Sequence, residues 1–236
     1  MNRRSGTGRI EGEARREAGR GRYLAGARAS VPFALATLVL GISFGILARS
    51  LGWGTLAPIA FSVLAFSGSA QFGVASVLGA GGGVVTAIIA AVLLNARFGP
   101  MGVAVAPYLK GGPLRRALEG QAVIDASWAL ASQGGGRFDR EFMIGATIPQ
   151  GVAWIVGTAI GALGGNFIGN PERLGLDVIF PAFFLALLVE ELRGGRRTIM
   201  VALLGAALAL ALVPFAPPGV PVIAACAAAF LGLRRS

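Results

Sequence analysis

The sequence predicts an all-α fold, a polytopic membrane helix bundle of about 7–8 embedded helices with broken helices and a possible internal repeat. Three observations carry that expectation. The 236 residues are 55% hydrophobic and only 14% charged, with mean hydropathy +0.72, far outside the range of soluble domains. Apolar runs recur from residue 30 to the C-terminus, and several reach the roughly 18–20 residues that span a bilayer core. The net charge of +10 comes from basic residues gathered at the ends of those runs rather than spread over a face, which points to membrane orientation and away from nucleic acid.

Residues 1–28 hold eight arginines and three glutamates with few large apolar residues, so they read as a disordered, arginine-rich cytoplasmic tail. The membrane domain is then 29–236. Embedded helices are expected near 31–49, 56–79, 84–109, 115–133, 142–164, 176–192, 198–213 and 218–233. The run at 31–49 ends in "ILARS" with no small-residue cleavage site and is read as a retained helix. The third run is interrupted by "NARFGP", and the fourth is short, with Asp125 in its middle. Arginines in the tail, at Arg193, Arg196 and Arg197, and at Arg234 and Arg235 suit the cytoplasm, which eight crossings satisfy. Eight crossings also put Lys110, Arg115 and Arg116 outside. If 84–109 dips in and returns, that loop comes back to the cytoplasm, so six, seven and eight crossings stay open. Trp53 falls in the first outer loop as an interfacial anchor.

An internal similarity aligns residues 30–45 with 147–161, matching Pro32 with Pro149, Gly41 with Gly157 and Gly45 with Gly161. At nearly the same offset Phe66 and Ser67 fall opposite Pro181 and Ala182. Transporters built from repeats place their substrate site at such corresponding broken helices.

Several chemistries are excluded. Histidine is absent and Cys226 is the sole cysteine, so no Ser/His dyad, imidazole-ligated zinc or haem, or disulfide framework can be built within the chain. No P-loop occurs, and no cofactor or metal is expected. An intramembrane aspartyl protease would need two facing aspartates, whereas only Asp125 lies deep in a predicted helix.

The polar residues inside apolar runs are the candidate site. In "FSGSAQF", Ser67, Gly68 and Ser69 serve equally as a close-packing face or as a helix interruption whose freed amides hold a carboxylate. Gln71 favours interruption, because its amide must be satisfied away from water. Gln121, Asp125, Trp128 and Ser132 fall on one helical face, which reads either as an amphipathic helix at the interface or as a buried carboxylate whose partner is Arg97. Asn95 and Arg97 either end a helix at the headgroups or line a cavity beside Gly99-Pro100. Glu190 and Glu191 read as a solvated helix end, and Thr147 and Gln150 around Pro149 as weaker echoes of the first break.

With "GISFGILARSLGW", "FSGSAQF", "LLNARFGPMGVAVAPYL" and "GLDVIFPAFFLALLVEELR" in this order, the chain resembles the AzlC-type family of branched-chain amino-acid permeases from about Ser30 onward. The resemblance implies a bacterial inner (cytoplasmic) membrane protein with a cytoplasmic N-terminus. It also implies a small hydrophobic AzlD-type partner subunit and outward movement of branched-chain amino acids. Carried over, the family's small-residue and Gln stretch falls on Ser67 to Phe72, its Asn-x-Arg on Asn95 and Arg97, and its acidic pair on Asp125 and Ala126. The chain departs at Phe98, where the family usually has histidine, and at Ala126, where the second acid is missing. The resulting expectation is a substrate held between the broken second and sixth helices. Its carboxylate meets Ser67 to Ser69 or Arg97, its ammonium meets Asp125 or Gln71, and its aliphatic part lies among Phe66, Phe72, Phe183 and Phe184. The alternatives are a membrane scaffold or channel-forming subunit, and a transporter of another small solute.

Overall fold

Inside a bilayer a backbone amide finds no water, so an apolar chain satisfies its N–H and C=O groups by coiling on itself. A computed structural model describes residues 19–134, 136–165 and 195–216, together with residues 17, 185, 188, 189, 192, 193, 220, 221, 224 and 225. The described residues are predominantly helical, with a single isolated bridge between Ser132 and Phe138. In chain order the helices are α1 (residues 19–29), α2 (Val31–Ser50), α3 (Leu56–Ala65), α4 (Gly68–Gly79) and α5 (Val84–Asn95). There follow α6 (Phe98–Val105, extended by a 3₁₀ turn Ala106–Tyr108), α7 (Pro113–Gly120), α8 (Asp125–Ala131), α9 (Arg140–Gly164) and α10 (Arg196–Leu212). The expected helices at 176–192 and 218–233, with Pro181, Phe183, Phe184, Glu190, Glu191 and Cys226, lie largely outside the described residues.

Among the described residues, α2 and α9 are each long and apolar enough to cross a membrane. Taken together across their break, Val84–Asn95 and Phe98–Tyr108 make a third candidate. The helix expected over 56–79 is two helices of 10 and 12 residues, about 15 and 18 Å long, each roughly half a bilayer core. The helix expected over 115–133 is also two. Gln121 ends α7 and Asp125 begins α8, with Ala122 and Val123 buried between them and Ile124 extended, so Gln121 is not on one helical face with Asp125 and Trp128. Pro149 interrupts nothing, since α9 runs through it and Gln150 donates its side-chain amide back to the Ala146 carbonyl at 2.9 Å. At the N-terminus helix begins at residue 19, inside the stretch expected to be a tail. The ladder passes through Ser30, whose N–H bonds Gly26 at 3.0 Å and whose carbonyl accepts from Ala34 at 2.8 Å.

The chain divides into two compact units. The first joins the residues up to Leu40 with Arg97–Gly157, and the second joins Gly41–Ala96 with the chain from Thr158 onward. In the first, Val105, Ala122, Val123, Ala131, Phe138 and Met143 form a buried core, with Met101, Tyr108 and Trp128 packed on it. In the second, Phe44 is fully buried and meets the rings of Trp53, Phe61 and Phe72 edge-on at 6.3, 6.3 and 5.6 Å. Trp53, expected as an interfacial anchor, therefore packs into this aromatic cluster.

Each unit also contains a reciprocal glycine contact. In the first, a Cβ on Gly26 would overlap the Phe142 carbonyl, and one on Gly145 would overlap the Tyr23 carbonyl. In the second, Gly45 faces the Thr158 carbonyl while Gly161 faces that of Ile42. Gly45 and Gly161 are the pair that the internal similarity aligns. Overpacking costs about 1–3 kcal/mol where the neighbour can shift, and rigid helix backbone shifts little. Gly45→Ala and Gly161→Ala are expected each to lower the thermal midpoint of the detergent-solubilised protein by several degrees. Gly99→Ala, with open space around it, leaves the midpoint unchanged in the same fluorescence-detected melting assay.

Candidate functional site

The second unit contains a chain reversal at Phe66–Ser67. Phe66 adopts φ 6°, ψ 62° after α3, and Ser67 is extended at φ −147°, ψ 100° before α4. Along a continuous helix Ser62 and Gln71 would stand about 13 Å apart. Instead the Gln71 Nε2 donates to Ser62 Oγ at 2.9 Å, and Phe61 and Phe72 both touch Phe44. Gly79, at the far end of α4, lies against Leu51, five residues before α3 begins, with its Cβ position 2.9 Å from Leu51 Cδ2. The α3–α4 pair thus enters and returns to one end as a hairpin.

Its tip and walls are pinned by polar side chains. Ser67, which could cap α4, instead donates its hydroxyl to Asn95 Oδ1 at 2.6 Å, joining the hairpin tip to the last residue of α5. The fully buried Gln71 bonds Ser62, and Ser62 shares a 2.9 Å hydrogen bond with Thr158 Oγ1 of α9. Of the expected site residues, Ser67, Ser69, Gln71 and Phe72 are buried, and Phe66, Gly68 and Asn95 are half-buried. Phe72 packs against Phe44, and Phe183 lies outside the described residues. Ser62 and Thr158 were not singled out by the sequence. Their signal is a lone hydroxyl within an apolar run, which single-residue inspection cannot separate from helix packing.

In the first unit Arg97 and Asp125 meet. Arg97 donates from Nε to Asp125 Oδ1 at 3.0 Å and from Nη2 to Oδ2 at 2.9 Å, a bidentate charge-assisted pair. The Arg97 guanidinium carbon lies 4.9 Å from the centroid of the Phe98 ring. Asp125 heads α8, and its side chain is 58% exposed, against 38% for Arg97, so the carboxylate is accessible as well as paired. Its place follows from the chain on either side. Thr147, about 10 Å along α9 from Arg140, donates to the Ala122 carbonyl at 2.7 Å, while the Ala131 carbonyl accepts from Asp139 at 3.0 Å. The chain therefore runs in along α9 to Ala122, and α8 returns it to the start of α9, with Asp125 at the inward end of α8.

The first unit also has an ion cluster where α1, α7 and α9 begin or end. Arg140 pairs through Nη2 with Glu119, donates from Nε to its second oxygen at 2.7 Å, and reaches the Tyr23 hydroxyl and Glu141. Lys110 donates Nζ to Glu141 at 2.8 Å and its backbone N–H to Glu119 at 3.1 Å, and Arg115 bonds Glu119 at 3.0 Å. The Arg140 bonds, helped by Lys110 and Arg115 against the opposing effect of burial, hold the Glu119 carboxyl down at about 2. Only the Arg115 and Glu119 spacing of four hinted at this cluster in the sequence.

A family model described as "AzlC protein" matches residues 32–168, more than half of the chain. The chain is 27% identical over 166 residues to the "Branched-chain amino acid transport protein AzlC" of Bacillus subtilis, covering 69% of this chain and 65% of that protein. It is 26% identical over 200 residues to the "Inner membrane protein YgaZ" of Escherichia coli, covering 79% of this chain and 80% of that protein. An uncharacterised membrane protein of Archaeoglobus fulgidus is 29% identical over 185 residues, with 77% and 80% covered. The chain spans just under two thirds of the Bacillus protein's length. No solved structure matches the chain.

Two outcomes follow from this geometry. Gln71→Ala leaves Ser62 without its buried donor, for which a cost of about 1–3 kcal/mol is expected in the unfolding free energy measured in mild detergent. Glu119, with a carboxyl held at about 2 in the folded protein, stabilises the fold above its unfolded pKa and loses that contribution as pH falls toward 2. Below about pH 4.5 the wild-type melting temperature should therefore fall more steeply than that of Glu119→Gln, read from melting curves at stepped pH.

Proposed function

The chain belongs to the AzlC family of membrane proteins, and from that premise we propose that it is a secondary transporter exporting branched-chain amino acids across the bacterial inner membrane. The observation that carries the proposal is the Arg97–Asp125 pair. One guanidinium and one carboxylate, held side by side at 2.9–3.0 Å, match an α-amino-acid zwitterion charge for charge. A substrate carboxylate takes the two parallel N–H donors of Arg97, and its ammonium takes the carboxylate of Asp125, so breaking the internal pair is offset by two equivalent pairs. The printed name of the Bacillus relative supports a branched-chain substrate. An apolar side-chain pocket separates one methylene by only about 1–3 kcal/mol, so leucine, isoleucine and valine compete for the same site.

In the second unit, Ser67, Gly68, Ser69, Gln71 and Asn95 give the hairpin tip its fixed form, and the freed amides at the start of α4 offer a partial positive charge to a substrate group. A small hydrophobic subunit of the AzlD type completes the exporter, and the N-terminus is cytoplasmic. With no histidine in the chain and Ala126 in place of a second acid beside it, coupling to protons at this pair would rest on Asp125 alone. A channel-forming or scaffold subunit is the other reading, and it predicts tolerance of every substitution at these residues that preserves packing.

The test is efflux of labelled leucine, isoleucine and valine from preloaded cells, with and without the small partner, at matched membrane expression. Asp125→Asn and Arg97→Gln are each expected to cut efflux at least tenfold, because one charge of the zwitterion then lacks its partner. Normal efflux in both variants rejects the assignment of the pair. Efflux of other solutes, with no branched-chain amino acid moving, rejects the substrate.

A further inference from the structure

The short helix α7 turns two sides to different surroundings. Its inner side is bonded to the protein through the Glu119–Arg140 pair and through Arg116, which donates Nη2 to the Ala106 carbonyl at 2.9 Å. Leu114 and Leu118, one turn apart, project outward and are 76% and 66% exposed. Beside them stand Lys110 and Arg115, with side chains 63% and 65% exposed. At this end the four cations Lys110, Arg115, Arg116 and Arg140 meet two acids, Glu119 and Glu141, which leaves positive charge in excess. Arg115 is bonded through Nε, so its two Nη groups remain directed outward.

We infer that α7 lies flat on the anionic cytoplasmic leaflet, with Leu114 and Leu118 in the acyl boundary and Lys110 and Arg115 at lipid phosphates. An outward leucine pair flanked by cations is the pattern of an interfacial helix, and anionic headgroups supply the complementary charge. The sidedness rests on Arg140, which bonds both Glu119 of α7 and Tyr23 of α1, and on Arg22, which pairs with Asp139 at 3.1 Å. Lys110, Arg115 and Arg116 therefore share one end with the arginine-rich N-terminal segment, the end that positive charge assigns to the cytoplasm. The conflict that an outer position for this loop creates with the positive-inside rule disappears. None of this depends on which solute the protein carries.

The test uses the full chain with Cys226→Ala, carrying a nitroxide at Leu118→Cys or, separately, Leu114→Cys, in phosphatidylcholine vesicles with and without phosphatidylglycerol. Both labels are expected to favour oxygen over a water-soluble nickel chelate, and to sit deeper when phosphatidylglycerol is present. Joint replacement of Lys110 and Arg115 by Gln removes that dependence. Cysteines at Arg20 and Gly112 react with an impermeant maleimide from the same side. Nickel access equal to that of a water-exposed site in both lipids overturns the inference. So does a label shielded from both reagents, the mark of contact with a second copy of the chain, and so does labelling of Arg20→Cys and Gly112→Cys from opposite sides.

Discussion

A helix interrupted inside an apolar chain leaves peptide groups that lipid cannot bond, and the protein must supply every partner itself. The arrangement of both units follows from that constraint. At the α3–α4 reversal polar side chains bond one another. Ser67 reaches Asn95, and Gln71 reaches Ser62, which in turn bonds Thr158, so four helices, α3, α4, α5 and α9, are joined by hydroxyl and amide groups with little exposure. At the entry to α8 side chains bond the backbone itself, Ser127 donating to the Ala122 carbonyl at 2.6 Å and Thr147 of α9 donating to the same carbonyl at 2.7 Å. The polar residues in these greasy segments thus serve one another at the hairpin and the backbone at the entry to α8.

Charges obey a stricter version of the same constraint. Arg97 follows the break after α5, and Asp125 stands where the chain turns back into α8, so each is presented by an interruption rather than by a helix face. Each has the other as its partner, in a bidentate geometry with Phe98 against the guanidinium. With both side chains well exposed, such a pair is a poor source of stability. In the function we propose, its value lies in being replaceable by another pair of opposite charges, which is what a zwitterion brings. The Glu119–Arg140 cluster differs in kind. Its members are shared among several partners and anchor helices, and exchanging one for a solute would leave others unpaired.

Much of this was legible in the sequence. "FSGSAQF" and "NARFGP" announce breaks because serine, glycine and glutamine, or arginine and proline, are unfavourable in the middle of a membrane helix, and the breaks fall at Phe66–Ser67 and Ala96–Arg97. The pairing of Arg97 with Asp125 was legible too, since two opposite charges in apolar surroundings have few alternatives. The fold-back of α3 on α4 was not, because run length measures apolar residues and carries no direction. The split between α7 and α8 was hidden by an accidental spacing of 4, 3 and 4 that a single helix would also give. The helix over 19–29 was masked by an arginine- and glycine-rich composition, and it is held by contacts far along the chain: Gly26 against Phe142, and Tyr23 against Arg140 and Gly145.

The central claim is that Arg97 and Asp125 read both charges of one amino acid. The most direct measurement is ligand-induced thermal stabilisation of the purified, detergent-solubilised protein by leucine, by 3-methylbutylamine, which lacks the carboxylate, and by 4-methyl-2-oxopentanoate, which lacks the ammonium. The account predicts a concentration-dependent rise in melting temperature with leucine, none with either analogue, and none with leucine in Asp125→Asn. Equal stabilisation by leucine and by an analogue with one charge missing would contradict it.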